Sequence, residues 1–142
     1  MKKQLLLFLT IVSIANVSAF VIAQENEPQE KQIISSKAIL TLKEETHDFG
    51  TIPEGPDAVC EFEVRNTGTE PLIINSVTAG CGCTVPTYSK EPVLPGNSTL
   101  IRVAYHTNGR PGAFTKSINI SSNSSTGESK IIYIKGTVQN KQ

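Results

Sequence analysis

Residues 58–66, AVCEFEVRN, contain the pattern that decides the fold of this chain. Cys60, Phe62 and Val64 occupy every second position, and charged side chains stand between them. A period of two indicates a β-strand with one buried and one solvated face. Residues 66–68, Asn-Thr-Gly, then supply turn chemistry. We therefore predict a half-buried strand that carries Cys60 on its inward face.

Similar short apolar stretches lie on both sides of this strand, with Gly, Pro and Asn between them, and no window has a sustained apolar face at helical spacing. The stretches cover residues 38–43, 47–52, 71–77, 99–107, 114–120 and 130–138. Short strands at this spacing are typical of a β-sandwich. The sequence thus predicts an all-β, immunoglobulin-like β-sandwich of seven or eight antiparallel strands over residues 38–142.

The first 37 residues differ from the rest. Lys2 and Lys3 precede an apolar run, and small residues follow at Ala19 and Ala23. This layout predicts a secretory signal peptide at residues 1–23, with cleavage after Ala23 as first choice and after Ala19 as second. The alternative is a membrane anchor, but polar residues interrupt the run before it reaches the roughly 20 apolar residues of a good span. Residues 24–37 are polar and without period, which predicts a flexible leader.

Charge and compartment limit the classes of partner. Removal of residues 1–23 takes away two lysines and no acid, which leaves 11 basic and 13 acidic residues and a net charge of −2. The lysines are scattered, so nucleic acid and anionic membrane surfaces are not expected partners. We expect an exported protein of the periplasm, the outer surface or the medium, with no membrane span after cleavage. Thiols in such places tend to be oxidised or metal-bound.

Several blocks together resemble a known family. They are HDFGTIPEG (47–55), FEVRNTGTEPLIINSVTAGCGCTVP (62–86), VLPGNSTLIRVAYHT (93–107) and the closing INISSN and YIKGTV stretches. Over Glu44 to Val138 the chain resembles the exported bacterial domain of unknown function 1573 family, which is similar to the modules of major sperm protein. The resemblance implies an immunoglobulin-like sandwich and no established activity. The family pattern does not require a cysteine at position 60.

The most informative short motif is Cys81-Gly82-Cys83. On an extended strand both side chains point the same way, with Cα atoms about 6.6 Å apart. That spacing is near the long limit for a disulfide, and Gly82 could bend the chain to shorten it. A strained bridge of this kind would be easily reduced, which makes a redox role physically sensible. Two thiolates on one face would also suit a soft ion such as Cu(I).

Other pairings stay open. Three cysteines allow one intramolecular disulfide and leave one thiol over, so Cys60 could bridge to Cys81 or Cys83 across the sandwich. A four-ligand Zn site would need Cys60 and either His47 or His106 to arrive from other strands. In the remaining alternative the cysteines have only a structural role, as small buried residues that pack in the core.

No catalytic constellation is evident: the sequence offers no Ser-His-Asp or Cys-His arrangement and no phosphate-binding glycine loop. We therefore expect no enzymatic activity and no cofactor. The first functional hypothesis is an exported module for protein binding or envelope assembly, whose exposed edge strands pair with an extended segment of another chain. The alternative is soft-metal binding or thiol redox chemistry at Cys81 and Cys83. A hydrolytic enzyme is a third hypothesis, without an identified nucleophile.

Overall fold

The computed structural model describes residues 37–140, and this part of the chain is all β. The expected signal peptide (1–23) and all of the expected leader except Lys37 lie outside the described residues. The eight strands are β1 (Leu40–Leu42), β2 (Thr46–Pro53), β3 (Ala58–Asn66), β4 (Ile74–Ala79), β5 (Thr84–Tyr88), β6 (Ser98–Tyr105), β7 (Gly112–Ser122) and β8 (Ser129–Gln139). They form two four-stranded sheets, and the predicted sandwich is confirmed.

The first sheet has the order β1-β3-β6-β5 and the second the order β2-β8-β7-β4. Hereafter they are called sheet A and sheet B. Alternation along the strands separates the inner from the outer face, as predicted for β3, β6 and β8. The largest fully buried apolar side chains between the sheets are Phe62, Val64, Leu72, Ile101, Val103, Ile118, Ile120, Ile132, Ile134 and Val138. Burial of these residues provides the main stabilisation of the fold.

One strand pair departs from the antiparallel prediction. Strand β2 pairs with β8 in parallel, and its register shifts between Asp48 and Thr51. Gly50, at a φ of 64°, lies within this irregularity, and its N–H donates to Asp48 Oδ1 at 2.8 Å. This hydrogen bond, together with Lys135 3.3 Å away, lowers the pKa of Asp48. Long-range pairing of this kind leaves no trace in local periodicity, so the sequence did not predict it.

The first described segment is attached to the rest of the domain near the β3–β4 turn. The backbone carbonyl of Lys37 accepts hydrogen bonds from the N–H groups of Thr69 and Glu70. A side chain at Gly68 would place its Cβ only 2.1 Å from that same carbonyl oxygen. The close approach explains why glycine occupies this position.

Candidate functional site

The two cysteines of the Cys81-Gly82-Cys83 motif are joined to each other. Their disulfide spans a Cα–Cα distance of 5.2 Å, shorter than the spacing expected for an extended strand. The motif is not an extended strand: it lies in the turn after β4, and strand β5 begins only at Thr84. The spacing is shortened, as expected for a bent chain. The turn carries the chain from sheet B to sheet A. Of the pairings left open by the sequence, the structure contains the Cys81–Cys83 bridge.

Cys60 takes no part in the bridge and is the free cysteine. It lies on the inner face of β3 and is 6% exposed, as the alternation predicted. Its cross-strand neighbour on β6 is Val103, whose neighbour on β5 is Pro86. Two strand spacings amount to about 9.6 Å, beyond the roughly 7 Å limit for bridged Cα atoms. The proposed pairing of Cys60 with Cys81 or Cys83 is therefore wrong for this fold.

The environment of Cys60 keeps its thiol neutral. Burial, with smaller contributions from Glu44 and Glu61, raises its pKa to about 11. A thiol with such a pKa is almost fully protonated at neutral pH and reacts poorly, because the thiolate is the nucleophile and the metal ligand. The position of Cys60 is that of a packing residue.

The two sulfurs of the bridge differ in exposure. Cys83 is 6% exposed and belongs to the core cluster, whereas Cys81 is only partly buried at its margin. The hydroxyl of Thr84 lies 3.7 Å from Cys81 Sγ and 3.8 Å from Cys83 Sγ. Thr84 itself is 3% exposed, so the bridge has a buried side, formed by Cys83 and Thr84, and a partly exposed side at Cys81.

Backbone hydrogen bonds hold the bridged turn on both sides. The N–H of His106 donates to the Cys83 carbonyl at 2.9 Å, and the N–H of Thr84 donates to the Cys81 carbonyl at 3.3 Å. The His106 ring lies 2.8 Å from Asp57, from Nδ1 to Oδ1, on the neighbouring strand connection. Local sequence could not predict this pair, since Asp57 is 49 positions from His106.

The candidate metal ligands do not come together as a multidentate site. Within residues 37–140 there is no group of three or more His, Cys, Asp or Glu side chains placed to hold an ion. His47 contacts Glu44, with 3.6 Å between Nδ1 and Oε1, and His106 contacts Asp57. Neither histidine is therefore grouped with Cys60 in the arrangement that the zinc hypothesis required. Cys81 and Cys83, the candidate ligands for Cu(I), are bonded to each other instead.

The outer face of sheet A has a feature that sequence reasoning did not find. Val59 on β3 and Val85 on β5 are both cross-strand neighbours of Ala104 on β6. The three side chains form a continuous row, hereafter called the apolar row, in which Val59 is 39% and Val85 43% exposed. Leu100, on the same face of β6, is 51% exposed. Only the strand register brings these residues together, and no local pattern reports that register.

Charged groups surround the apolar row. Glu61 and Arg102 face each other in the adjacent cross-strand pair, and beyond them Glu63 is opposite Leu100. Glu44, Glu61 and Glu63 line a shallow depression beside Leu100. The Lys43 ammonium is 4.0 Å from Glu63. An apolar centre with a charged rim is the usual anatomy of a protein-binding surface.

The edges of the two sheets are poorly suited to strand addition. Strand β1 has only three residues, and β2 is interrupted by its register shift. Strand β5 contains Pro86, which has no N–H to donate. On β4, the Tyr88 hydroxyl donates to the Asn75 carbonyl at 3.2 Å. Short strands, bulges and prolines are devices that protect edges from pairing.

No helix in the described part of the chain is long and apolar enough to cross a membrane.

Comparisons with solved structures agree on a β-sandwich. A protein of unknown function from Porphyromonas gingivalis W83 superposes with a TM-score of 0.63 and 23% identity, over 72% of this chain and 48% of that protein. The ASH/PapD-like domain 7 of human CEP192 superposes with a TM-score of 0.62 and 8% identity, over 75% of this chain and 89% of that domain. The Vibrio cholerae VesB protease gives a TM-score of 0.56 and 15% identity, over 71% of this chain and 32% of the protease.

At these identities the similarity concerns the fold alone. The chain spans about half the length of the Porphyromonas protein, and no curated protein matches it. A family model described as "Protein of unknown function (DUF1573)" matches residues 40–138, from the first strand to the last. This match covers more than half of the sequence and includes the bridged turn, the apolar row and both sheets. The chain therefore belongs to the DUF1573 family of proteins of unknown function.

Proposed function

We propose that this protein is an exported, non-enzymatic β-sandwich module that binds another protein through the outer face of sheet A. The observation that carries the proposal is the apolar row of Val59, Ala104 and Val85. A PapD-like sandwich in a family without an assigned activity fits a binding module.

The continuity of the row is what distinguishes it from ordinary surface. Single exposed apolar residues are normal on soluble proteins and need no explanation. A contiguous apolar patch with a polar rim more often marks an interaction site. Here two β-branched side chains flank a small alanine in one row across three neighbouring strands.

The rim defines the chemistry of the partner. Glu61 and Arg102, which face each other, lie beside the row, whereas Glu44 and the Lys43–Glu63 pair lie further along the face, near Leu100. A partner surface with apolar side chains at its centre and charged groups of both signs at its margin would complement this arrangement. Binding through the face replaces the edge-strand pairing that the sequence suggested, since the edges carry the protective features described above.

Export is part of the same proposal. Its support is the signal-peptide pattern of residues 1–23 and the disulfide, because such bridges persist mainly in oxidising compartments. The test is the intact mass and N-terminal sequence of the protein purified from the envelope fraction of the cells that make it. Export predicts a chain that begins at Gln24, or at Phe20 if the second cleavage site is used. A chain that keeps residues 1–23 and stays in the cytoplasm would refute it.

Site-specific crosslinking tests the binding surface. A photoreactive amino acid is placed at Val85 in the full chain, expressed in its native cells, and compared with the same amino acid at Ile131. Ile131 is a matched control, since it is exposed, apolar and on the outer face of sheet B. We expect a discrete protein adduct at Val85 that disappears when Val59 is replaced by Ser, and none at Ile131. Adducts at neither position, or at both equally, would contradict the proposal.

The metal alternative has weaker support than protein binding. Soft-metal binding at Cys81 and Cys83 requires two thiolates, and the bridge occupies both sulfurs. Copper binding would thus require reduction of the bridge first.

A further inference from the structure

We propose that the Cys81–Cys83 bridge is a thiol–disulfide exchange site that takes two electrons from a dithiol of another protein. In this reaction Cys81 is the sulfur that is attacked, Cys83 is the leaving thiolate, and the Thr84 hydroxyl stabilises it. The inference does not depend on the proposed binding face, because it rests on the bridged turn and not on the apolar row.

The greater solvent exposure of Cys81 makes it the sulfur that an incoming thiolate can reach. Exchange proceeds through a thiolate that approaches one sulfur of the bridge, and its rate depends on which sulfur can be reached. Cys83 is 6% exposed, while Cys81 is only partly buried and lies at the margin of the core. Attack at Cys81 forms a mixed disulfide on the exposed side of the turn and places the departing charge on Cys83.

The leaving thiolate needs a partner because burial disfavours the charged form of a thiol. Thr84 is 3% exposed and its hydroxyl is 3.8 Å from Cys83 Sγ, so the hydroxyl is positioned to donate to this buried sulfur. It is also 3.7 Å from Cys81 Sγ and therefore contacts both atoms of the bond that breaks. A hydrogen bond to a charged acceptor is stronger than one to a neutral acceptor, so the contact favours the open state.

The framework around the turn does not have to move when the bond opens. Strand β4 remains paired with β7, and β5 remains paired with β6. The His106 N–H continues to hold the Cys83 carbonyl. The bridge encloses a sequence separation of only two residues, so its opening releases little chain. Both oxidation states are therefore compatible with the same sandwich.

The electron and proton balance is that of a simple exchange. A thiolate of the partner dithiol attacks Cys81 Sγ, the Cys81–Cys83 bond breaks, and Cys83 leaves as a thiolate that takes up a proton. The second thiol of the partner loses its proton and attacks the partner's first sulfur, which is bonded to Cys81 in the mixed disulfide. This step releases Cys81 as a thiolate that takes up a proton. Two electrons and two protons pass to Cys81 and Cys83, and the partner dithiol becomes a disulfide.

The test uses the full chain after any cleavage, with dithiothreitol as the dithiol probe. Samples are quenched in acid at successive times and alkylated, and their intact masses are measured by mass spectrometry. The increase in alkylated protein with time gives the opening rate of the bridge in the folded protein. We expect Thr84→Val to slow opening at least tenfold and Thr84→Ser, which keeps the hydroxyl, to stay within about threefold of the parent. Thr87→Val is the matched control, because Thr87 is an exposed threonine of the same strand.

Single cysteine variants test the direction of attack and also remain informative if Thr84→Val does not fold. With Cys83→Ser, we expect Cys81 to form a mixed disulfide with oxidised glutathione. With Cys81→Ser, the remaining Cys83 should react at least tenfold more slowly. The proposal is overturned if the bridge opens only in denaturant, if both single variants react equally fast, or if Thr84→Val opens at the parental rate. These outcomes leave the crosslinking test of the binding face unaffected.

Discussion

Asn66 is a buried polar residue that joins three segments of the chain. It is 0% exposed at the end of β3, and its Nδ2 donates to the Glu70 carbonyl at 2.7 Å and the Val93 carbonyl at 2.8 Å. Its Oδ1 accepts from the Gly68 N–H at 3.0 Å. The sequence identified Asn66 as a turn residue but could not show these partners, since Val93 is 27 positions away.

Replacement of Asn66 by Ala should strongly destabilise the domain. The change removes the Asn66 donor of the Glu70 carbonyl and the acceptor of the Gly68 N–H, and it leaves the Val93 carbonyl with the Leu72 N–H as its remaining donor. Each of these three lost hydrogen bonds costs about 1 kcal/mol. We expect the free energy of unfolding to fall by about 3 kcal/mol, measured by denaturant titration. Asn123→Ala is the control: its amide also makes two backbone contacts, but at an exposed site where water can replace them. Equal losses in both variants would contradict the role assigned to Asn66.

The buried thiol of Cys60 should make stability depend on alkaline pH. Its pKa is about 11 in the folded protein, above the ordinary value of 9.0. The unfolded chain therefore releases the thiol proton first as pH rises, and the folded state binds more protons between these values. The stabilisation by the neutral thiol is complete below pH 9 and is lost as pH rises through about 11.

The measurement compares the parent with Cys60→Ala, in which nothing titrates at this position. The difference in unfolding free energy between the two should shrink by about 2 kcal/mol from pH 8 to pH 11. Lysines and tyrosines titrate in both proteins and cancel in this difference. A difference that is constant with pH would show that the Cys60 thiol is ionised equally well in both states.

The strands differ in how well the local sequence predicts their positions. Strands β3, β6 and β8 have one buried and one solvated face, so alternation locates them. Strand β5 was not among the predicted stretches, because its sequence, Thr-Val-Pro-Thr-Tyr, shows no clear alternation of apolar and polar residues. The parallel pairing of β2 with β8 was missed because the partners are more than 80 residues apart. The apolar row was missed for the same reason, since it depends on register between strands.

Edge strand β5 shows how one residue limits association. The His106 N–H bonds to the Cys83 carbonyl, so alternate residues of β5 direct their backbone groups toward β6. By this alternation Thr84, Pro86 and Tyr88 direct theirs outward. Pro86 therefore removes a donor from the middle of the open edge, which opposes pairing with another strand.

Replacement of Pro86 by Val should restore this donor and increase self-association. We expect the association constant, measured by sedimentation equilibrium, to rise at least tenfold over the parent. Pro92→Val is the matched control, because Pro92 is exposed and lies outside the strands. An unchanged association constant for Pro86→Val would mean that other features protect the edge, such as the shortness of β5.

For the molecule as a whole, the core and the bridge contribute very unequally to stability. The core joins 19 buried apolar residues from both sheets, whereas the bridge links positions only two apart in sequence. A disulfide stabilises mainly by restricting the unfolded chain, and the effect grows with loop length. For a loop of three residues the chain-entropy model gives about 1.6 kcal/mol. The sandwich should therefore persist when the bridge is reduced.

Thermal unfolding with and without dithiothreitol tests this expectation. Reduction should lower Tm by roughly 5–10 °C, the shift that about 1.6 kcal/mol produces in a domain of this size. The far-ultraviolet circular dichroism of the folded protein should not change. The double variant Cys81→Ser/Cys83→Ser should match the reduced protein and be insensitive to dithiothreitol. Loss of cooperative unfolding on reduction would make the bridge a structural requirement, and the exchange reaction proposed for Cys81 and Cys83 could not then occur within a folded sandwich.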